Sequence, residues 1–204
     1  MGRQKIEIAT PAAGVMWGSA LWSRAPQAEW GLSVLAGRLA EIRGGARLTA
    51  AMGLVLEAQQ RETRVAWIAG TNAFYPPDCA LGGVDLTALP VVHAPEARAA
   101  ARAADTLLRS GGFGLIVVDL AGDMGLPLAM QSRLAGLAKQ WSAALVCLTP
   151  SRREMISLAS LRAESWIVRR DFDAFACVVC VTKDKRDAPG RREEEVHHGP
   201  GGLC

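Results

Sequence analysis

The sequence predicts an α/β domain with a mostly parallel β-sheet, flanked by helices and ending in a C-terminal antiparallel hairpin. Short apolar runs bounded by charge, glycine or proline alternate with segments of helical periodicity, as in parallel strands joined by crossover helices. The last two apolar runs follow one another across a short polar turn, which favours a hairpin. The 204 residues, half of them hydrophobic, suit one domain with a sizeable core.

Three stretches divide the chain. Residues 1–36 form a predicted N-terminal helical segment, residues 37–182 form the α/β core, and residues 183–204 form a charged tail without apolar periodicity that is predicted to be disordered. Within the first stretch, PAAGVMWGSALWSR (11–24) predicts a helix, which either packs on its own domain or serves as a docking arm.

Three tryptophans precede or begin the core: Trp17, Trp22 and Trp30. Aromatic side chains outside a core are frequent interface anchors. We therefore consider these tryptophans candidates for contact with a partner protein.

The core begins with a strand over 38–43, the pair Gly44 and Gly45, and a helix that carries Leu48, Met52 and Val55 on one side. The sequence then predicts further elements in order. Buried strands are expected in RVAWIAG (64–70), FGLIVVDL (113–120) and AALVCLTP (143–150), a short strand in LPVVHA (89–94), and helices over 95–110 and 127–141.

Two connections lack a clear pattern. TNAFYPPDCALGGVDL (71–86) contains a proline pair and a glycine pair, which disfavour regular structure. SRREMISLASLRAE (151–164) is compatible with a helix or a folded loop. SWIVRR (165–170) and AFACVVCVTK (174–183) then predict the closing hairpin.

The junction of the first strand and helix is the place where α/β nucleotide-binding proteins carry G-x-x-x-x-G-K-[ST]. This chain has Gly44, Gly45, Arg47 and Thr49 there, without the second glycine and without the lysine. Arg47 is a poor substitute, because a planar guanidinium differs from a compact ammonium. We expect no ATP hydrolysis, no catalytic residues and no cofactor, and Asp119 is then an acid at the end of a strand rather than a magnesium ligand.

Basic residues cluster in the last third of the core and in the tail. If several share one face, they could contact the phosphates of single-stranded DNA, with Trp166 and Phe172 available for base stacking. The alternatives are a solvated surface balanced by neighbouring acids, or a protein contact. The candidate residues are Arg152, Arg153, Arg162, Arg169, Arg170, Lys183, Lys185 and Arg186.

Composition excludes several other classes of protein. The net charge of +3 does not by itself call for nucleic acid, and no apolar run approaches the length of a membrane helix. The first residues lack the layout of a signal peptide, so we expect a cytoplasmic protein with reduced cysteines. Cys177 and Cys180, three apart on a predicted strand, point to opposite faces and are expected in the core rather than in a metal site.

A family resemblance rests on the order and spacing of several motifs. RLAEIRG, VAWIAG, LGGVDL, LIVVDL, ALVCLT and SWIVRR occur as in the RecA recombinase core, over roughly Gly37 to Lys183. The resemblance implies a RecA-like fold and matches Asp119 to the family's magnesium-associated acid. The position of the family's catalytic glutamate falls near Thr71, where no acid is present.

A short RecA-like core of this kind, with VMWGSALW before it and a charged tail after it, resembles the ImuA family. That resemblance implies a non-catalytic accessory role in damage-induced, error-prone translesion synthesis. The partners implied by the resemblance are RecA, ImuB and an error-prone replicative-type polymerase subunit. Weak binding of single-stranded DNA is a separate expectation, which rests on the basic residues named above. A SulA-like inhibitor of cell division and a divergent RecA-like ATPase or DNA-binding protein are the alternatives.

Overall fold

The computed structural model of the protein describes residues 30–70, 76–120, 125–150, 154–172 and 174–198. The described helices are α1 (Leu32–Leu35), α2 (Arg47–Gln60), α3 (Pro76–Leu81), α4 (Ala97–Arg109) and α5 (Leu128–Gln140). The described strands are β1 (Arg38–Gly44), β2 (Val65–Ala69), β3 (Val91–His93), β4 (Leu115–Asp119), β5 (Ala144–Thr149), β6 (Leu161–Arg169), β7 (Ala174–Asp184) and β8 (Arg192–His198).

The described strands form one sheet in the order β3-β2-β4-β5-β1-β6-β7-β8. All pairs from β3 to β6 are parallel, while β6 with β7 and β7 with β8 are antiparallel. This is the predicted fold class, including the closing hairpin. The carboxyl ends of the parallel strands share one edge, where ligands of such sheets bind.

Two hydrophobic layers cover the sheet. One side packs α2 through Ala51, Leu54 and Val55 on the strands. The other side packs α4 and α5, whose buried residues include Leu108 and Leu134. β4 and β5 are buried along their whole lengths, which explains why they appear in the sequence as continuous apolar runs rather than alternating ones.

The C-terminal tail differs from its prediction. Residues 192–198, expected to be disordered, form β8 and pair with β7 from Ala174 to Cys180. β8 carries three consecutive glutamates and lacks apolar alternation. Its strand conformation comes from the open edge of β7, which is a tertiary cause that the local sequence does not contain.

Two connections also differ from their predictions. The segment predicted as irregular contains α3 and a 3₁₀ turn over Leu86–Ala88, where the Asp85 side chain accepts the backbone N–H of Thr87. β6 begins at Leu161, so residues 161–164, expected in a helix or loop, belong to the sheet. The helix predicted over 11–24 lies outside the described residues, as do Trp17, Trp22, Arg152 and Arg153.

Candidate functional site

The β1–α2 loop lies at the carboxyl edge of the sheet and consists of Gly45 and Ala46 alone. Gly44, the last residue of β1, has a φ of +104°, a conformation that favours glycine. A Cβ atom on Gly44 would clash with the carbonyl oxygen of Ser165 on β6. Gly44 is therefore needed for the close approach of two strands.

The backbone of this loop is engaged by β6. The N–H of Ala46 donates to the carbonyl oxygen of Ser165 at 3.4 Å, and the Ser165 hydroxyl donates to the carbonyl oxygen of Arg43 at 2.9 Å. In a phosphate-binding loop, N–H groups at this position point to the phosphates instead. In this protein the Ala46 N–H is instead bonded to Ser165 of β6.

Arg47 begins α2, and its guanidinium bends back to the carbonyl oxygen of Gly44 at 3.4 Å. A cation in the first turn opposes the helix dipole and takes the position where an anion would be stabilised. α2 has no acidic residue in its first turn, and the side chain of its N-cap residue, Ala46, makes no capping hydrogen bond. Thr49 lies in the first turn and is half-buried.

Asp119 is fully buried at the carboxyl end of β4. It follows Val117 by two residues, and Val117 packs in the core layer that contains α2. Asp119 therefore lies on the α2 face of the sheet, separated from β1 by β5. Its backbone carbonyl accepts the N–H of Gly70 at 2.8 Å, which joins the ends of β2 and β4.

Sequence reasoning missed a buried ionic cluster centred on Glu41 of β1. Its carboxylate accepts the Thr149 hydroxyl and the Met155 N–H, both at 3.1 Å, and pairs with Arg162 Nε at 2.6 Å. Arg162 also pairs with Glu154 at 2.6 Å. The available signal was a glutamate in the middle of a predicted buried strand, since a buried charge needs a partner.

The prediction that Arg162 is exposed is therefore wrong. Arg162 is 2% exposed and lies opposite Glu41 in the register of β1 and β6. Its third interaction is a donation to the carbonyl oxygen of Ile156 at 3.1 Å. All of its donor groups serve the fold, so Arg162 is not available to a partner or to DNA.

The segments that follow β4 and β5 are packed together where the structure describes them. Gln131 of α5 accepts the N–H of Leu158 at 3.0 Å and donates to the carbonyl oxygen of Leu126 at 2.7 Å. Gly125 approaches the backbone of Met155 so closely that a Cβ atom would clash. The described parts of both segments are therefore held against the core.

The remaining basic candidates do not form one surface. Arg169 and Arg170 lie at the turn of the β6–β7 hairpin, where Arg170 pairs with Glu194. Lys185 and Arg186 follow the opposite end of β7, roughly 26 Å away at 3.3 Å per residue along the strand. Arg186 donates to the carbonyl oxygens of Ala36 and Gly37.

Lys183 is half-buried near Arg162. Burial lowers the pKa of the Lys183 ammonium, and the positive charges of Arg162 and Lys185 lower it further. The surroundings therefore disfavour its charged form. Both proposed base-stacking residues are exposed: Phe172 at 74% in the hairpin turn and Trp166 at 36% under the guanidinium of Arg192.

The cysteine pair on β7 does not converge. Cys177 is buried on the α2 side, whereas Cys180, three residues later, faces the other side. Burial and the nearby charge of Glu195 raise the pKa of Cys177 to about 11, which keeps it a thiol.

Within the described ranges, no group of His, Cys, Asp and Glu could hold a metal ion. No described helix has the length and apolar character needed to cross a membrane.

Comparison with known proteins gives a distant relationship to RecA. No protein-family model matches the chain. RecA of Rhodospirillum rubrum is 34% identical over 116 residues, which cover 50% of this chain and 32% of that protein. For RecA of Rickettsia massiliae the identity is 31% over 116 residues, covering 50% and 34%. For RecA of Fusobacterium nucleatum it is 36% over 86 residues, covering 41% and 23%.

This chain thus spans at most about a third of the length of these curated relatives. Among solved structures, the crystal structure of the RadB recombinase matches with a TM-score of 0.60, covering 79% of this chain and 87% of that chain at 14% identity. At that identity the likeness is one of fold. The protein has the fold of a RecA-like core, as the order of its motifs predicted.

Proposed function

We propose that this protein is a non-catalytic RecA-like accessory protein that acts with RecA in damage-induced, error-prone translesion DNA synthesis. The observation that carries the proposal is a RecA-like sheet whose β1–α2 loop has two residues, no lysine, and its Ala46 N–H bonded to Ser165. By the resemblance to the ImuA family, ImuB and an error-prone replicative-type polymerase subunit are its further partners.

Phosphoryl transfer depends on parts that this loop does not supply. An enzyme of this kind positions the triphosphate with backbone N–H groups and neutralises its charge with a lysine and magnesium. Arg47 is the cation nearest in sequence to the position of the missing lysine, and its guanidinium donates to Gly44 rather than projecting from the loop. Closing the loop over a triphosphate would also require Ala46 to break its bond to β6.

The shared fold offers a mechanism for a RecA contact. A protein with the shape of a RecA core can occupy the end of a RecA filament as a protomer does. If it does not hydrolyse nucleotide, it remains at the filament end, because the hydrolysis that releases a RecA protomer does not occur in it. Such a docked subunit would bring its other partners to the site of damage.

Binding to purified RecA tests this proposal. We expect biolayer interferometry at physiological salt to show a specific complex with RecA, stronger when RecA is assembled on single-stranded DNA with ATP and magnesium. Bovine serum albumin in place of RecA controls for non-specific adsorption. Absence of binding in every nucleotide and DNA condition, with both proteins folded, contradicts the proposal.

A divergent RecA-like ATPase is the second candidate, and one observation favours it. Asp119 retains the buried strand-end position on the α2 face that the family uses to hold magnesium. Nucleotide binding separates the two candidates, because the ATPase requires it and the accessory protein does not.

A further inference from the structure

An open groove of about 400 Å³ lies between α2 and the β7–β8 hairpin. Leu54, Cys177 and Val179 form its buried apolar floor. Trp30 lines it as well and packs partly on the core. The groove therefore combines apolar and aromatic surface in one concave site.

Gly53 keeps the groove open. It lies on the exposed side of α2, facing β8, and a Cβ atom there would be 3.2 Å from Glu195 Oε2. A glycine in a helix interior costs roughly 1 kcal/mol relative to alanine. A larger side chain at position 53 would therefore meet Glu195 and occupy the groove that Gly53 lines.

Carboxylates line the rim of the groove. Glu57 is neutralised by Arg61 at 2.8 Å, whereas neither Glu193 nor Glu195 pairs with a lysine or arginine among the described residues. Glu193 accepts the backbone N–H of Trp30 at 2.7 Å, which holds its carboxylate next to a residue that also lines the groove. Glu195 also lies 3.7 Å from His197 Nε2, but an imidazole is charged only when it is protonated. The groove is therefore lined by one tryptophan and by two carboxylates that have no permanently charged partner among the described residues.

We propose that this groove is a docking site for a basic amphipathic segment of a partner protein. An arginine or lysine of that segment pairs with Glu193 and Glu195 and stacks on Trp30, while its apolar residues cover the floor. Charge complementarity favours this occupant, because guanidinium groups form strong bonds with carboxylates and attract aromatic faces. Negative charge at the rim disfavours nucleic acid.

This inference goes beyond the proposed accessory role, because it does not depend on which partner supplies the segment. A helical peptide with leucines on one face and arginines beside them matches the groove. Its leucines would contact the apolar floor, and its arginines would contact the carboxylates of the rim. A short fluorescein-labelled peptide of this design is therefore a suitable probe. The same peptide with glutamate in place of arginine is its control.

The experiment measures fluorescence anisotropy of each peptide with the full chain. We expect the arginine peptide to bind, and Gly53→Met, which fills the groove, to weaken binding at least about tenfold. Gly136→Met is the matched control, since it makes the same change in α5 at an exposed position with no atom within 4 Å of the added Cβ. The Gly136→Met variant should bind the arginine peptide with the same affinity as the wild type.

Glu195→Arg provides a second test at an exposed side chain, where a folding defect is not expected, and should weaken binding to a similar degree. Thermal unfolding of each variant shows whether it is folded. Absence of binding by the wild type, equal binding of the glutamate peptide, or full affinity in both Gly53→Met and Glu195→Arg each overturns the assignment.

Discussion

Single residues at the β1–α2 loop decide how closely β1 and β6 approach. We expect Gly44→Ala to lower the free energy of unfolding by about 2–5 kcal/mol, because it adds a positive-φ strain and a clash with Ser165. Urea denaturation followed by tryptophan fluorescence measures the change. Gly45→Ala is the control: nothing lies within 4 Å of the added Cβ, and its effect should stay within about 0.5 kcal/mol. Equal effects would contradict the described loop geometry.

Asp184 is a second residue with a large expected effect. Its side chain is fully buried and pairs with Arg38 and Arg191. Burial raises the pKa of Asp184, but the Arg38 hydrogen bond, the Arg186 N–H and the two positive charges together hold it below its usual value. The folded state therefore binds this proton less readily than the unfolded chain does.

We expect Asp184→Asn to cost about 3 kcal/mol at neutral pH, because it leaves the buried Arg38 without its carboxylate and Arg191 with only the more exposed Asp187. Because the folded pKa of Asp184 is lowered, its contribution is present above the unfolded pKa near 4 and lost as pH falls through the folded pKa. Urea denaturation from pH 7 to 3 should show a shallower pH dependence in the variant. Asp187→Asn, which affects a more exposed pair with Arg191, should cost less than about 1 kcal/mol. Similar losses in both variants would contradict the assigned role.

At the scale of elements, β8 is a strand whose own sequence lacks the apolar alternation that predicts a strand. It pairs with β7 over seven register positions and lies beside Cys177 and Val179. We expect deletion of residues 192–204 to lower the free energy of unfolding by about 2 kcal/mol or more and to remove hydrogen-exchange protection from β7. Deletion of residues 199–204 alone leaves β8 in place and controls for the loss of the terminus. If the longer deletion leaves the free energy of unfolding unchanged, β8 does not stabilise the sheet and the prediction of a disordered tail is favoured.

The elements that could be predicted are those whose own residues determine them. β4 is an apolar run bounded by glycine and a carboxylate, and α4 is rich in alanine with an acidic residue at its start. β8 and the first residues of β6 have no such local pattern, because their conformation depends on an open strand beside them. The Glu41–Arg162 pair depends on strands separated by more than one hundred residues, so only the lone buried glutamate could have indicated it.

At the scale of the whole molecule, the sheet order and the loop at its carboxyl edge have different implications. The sheet gives the shape of a RecA-like core, and the β1–α2 loop has two residues, neither of them a lysine. The shape is enough for a protein contact, since interface recognition depends on surface complementarity and a few anchors rather than on catalysis. The absence of a lysine in the loop was evident from the sequence. The bond from Ala46 to Ser165 required the structure.

Thermal unfolding of the full chain with and without ATP and magnesium is the most direct test of the central claim, which is that this RecA-like core does not bind or hydrolyse nucleotide. A ligand at one hundred times its dissociation constant stabilises a folded protein by about 2.7 kcal/mol, and RecA under the same conditions serves as a positive control. We expect the melting temperature of this protein to stay constant up to millimolar ATP while that of RecA rises. A saturable rise that is lost in Asp119→Asn would show nucleotide binding at the carboxyl edge of the sheet, which contradicts the proposed loss of the triphosphate site and favours the divergent ATPase.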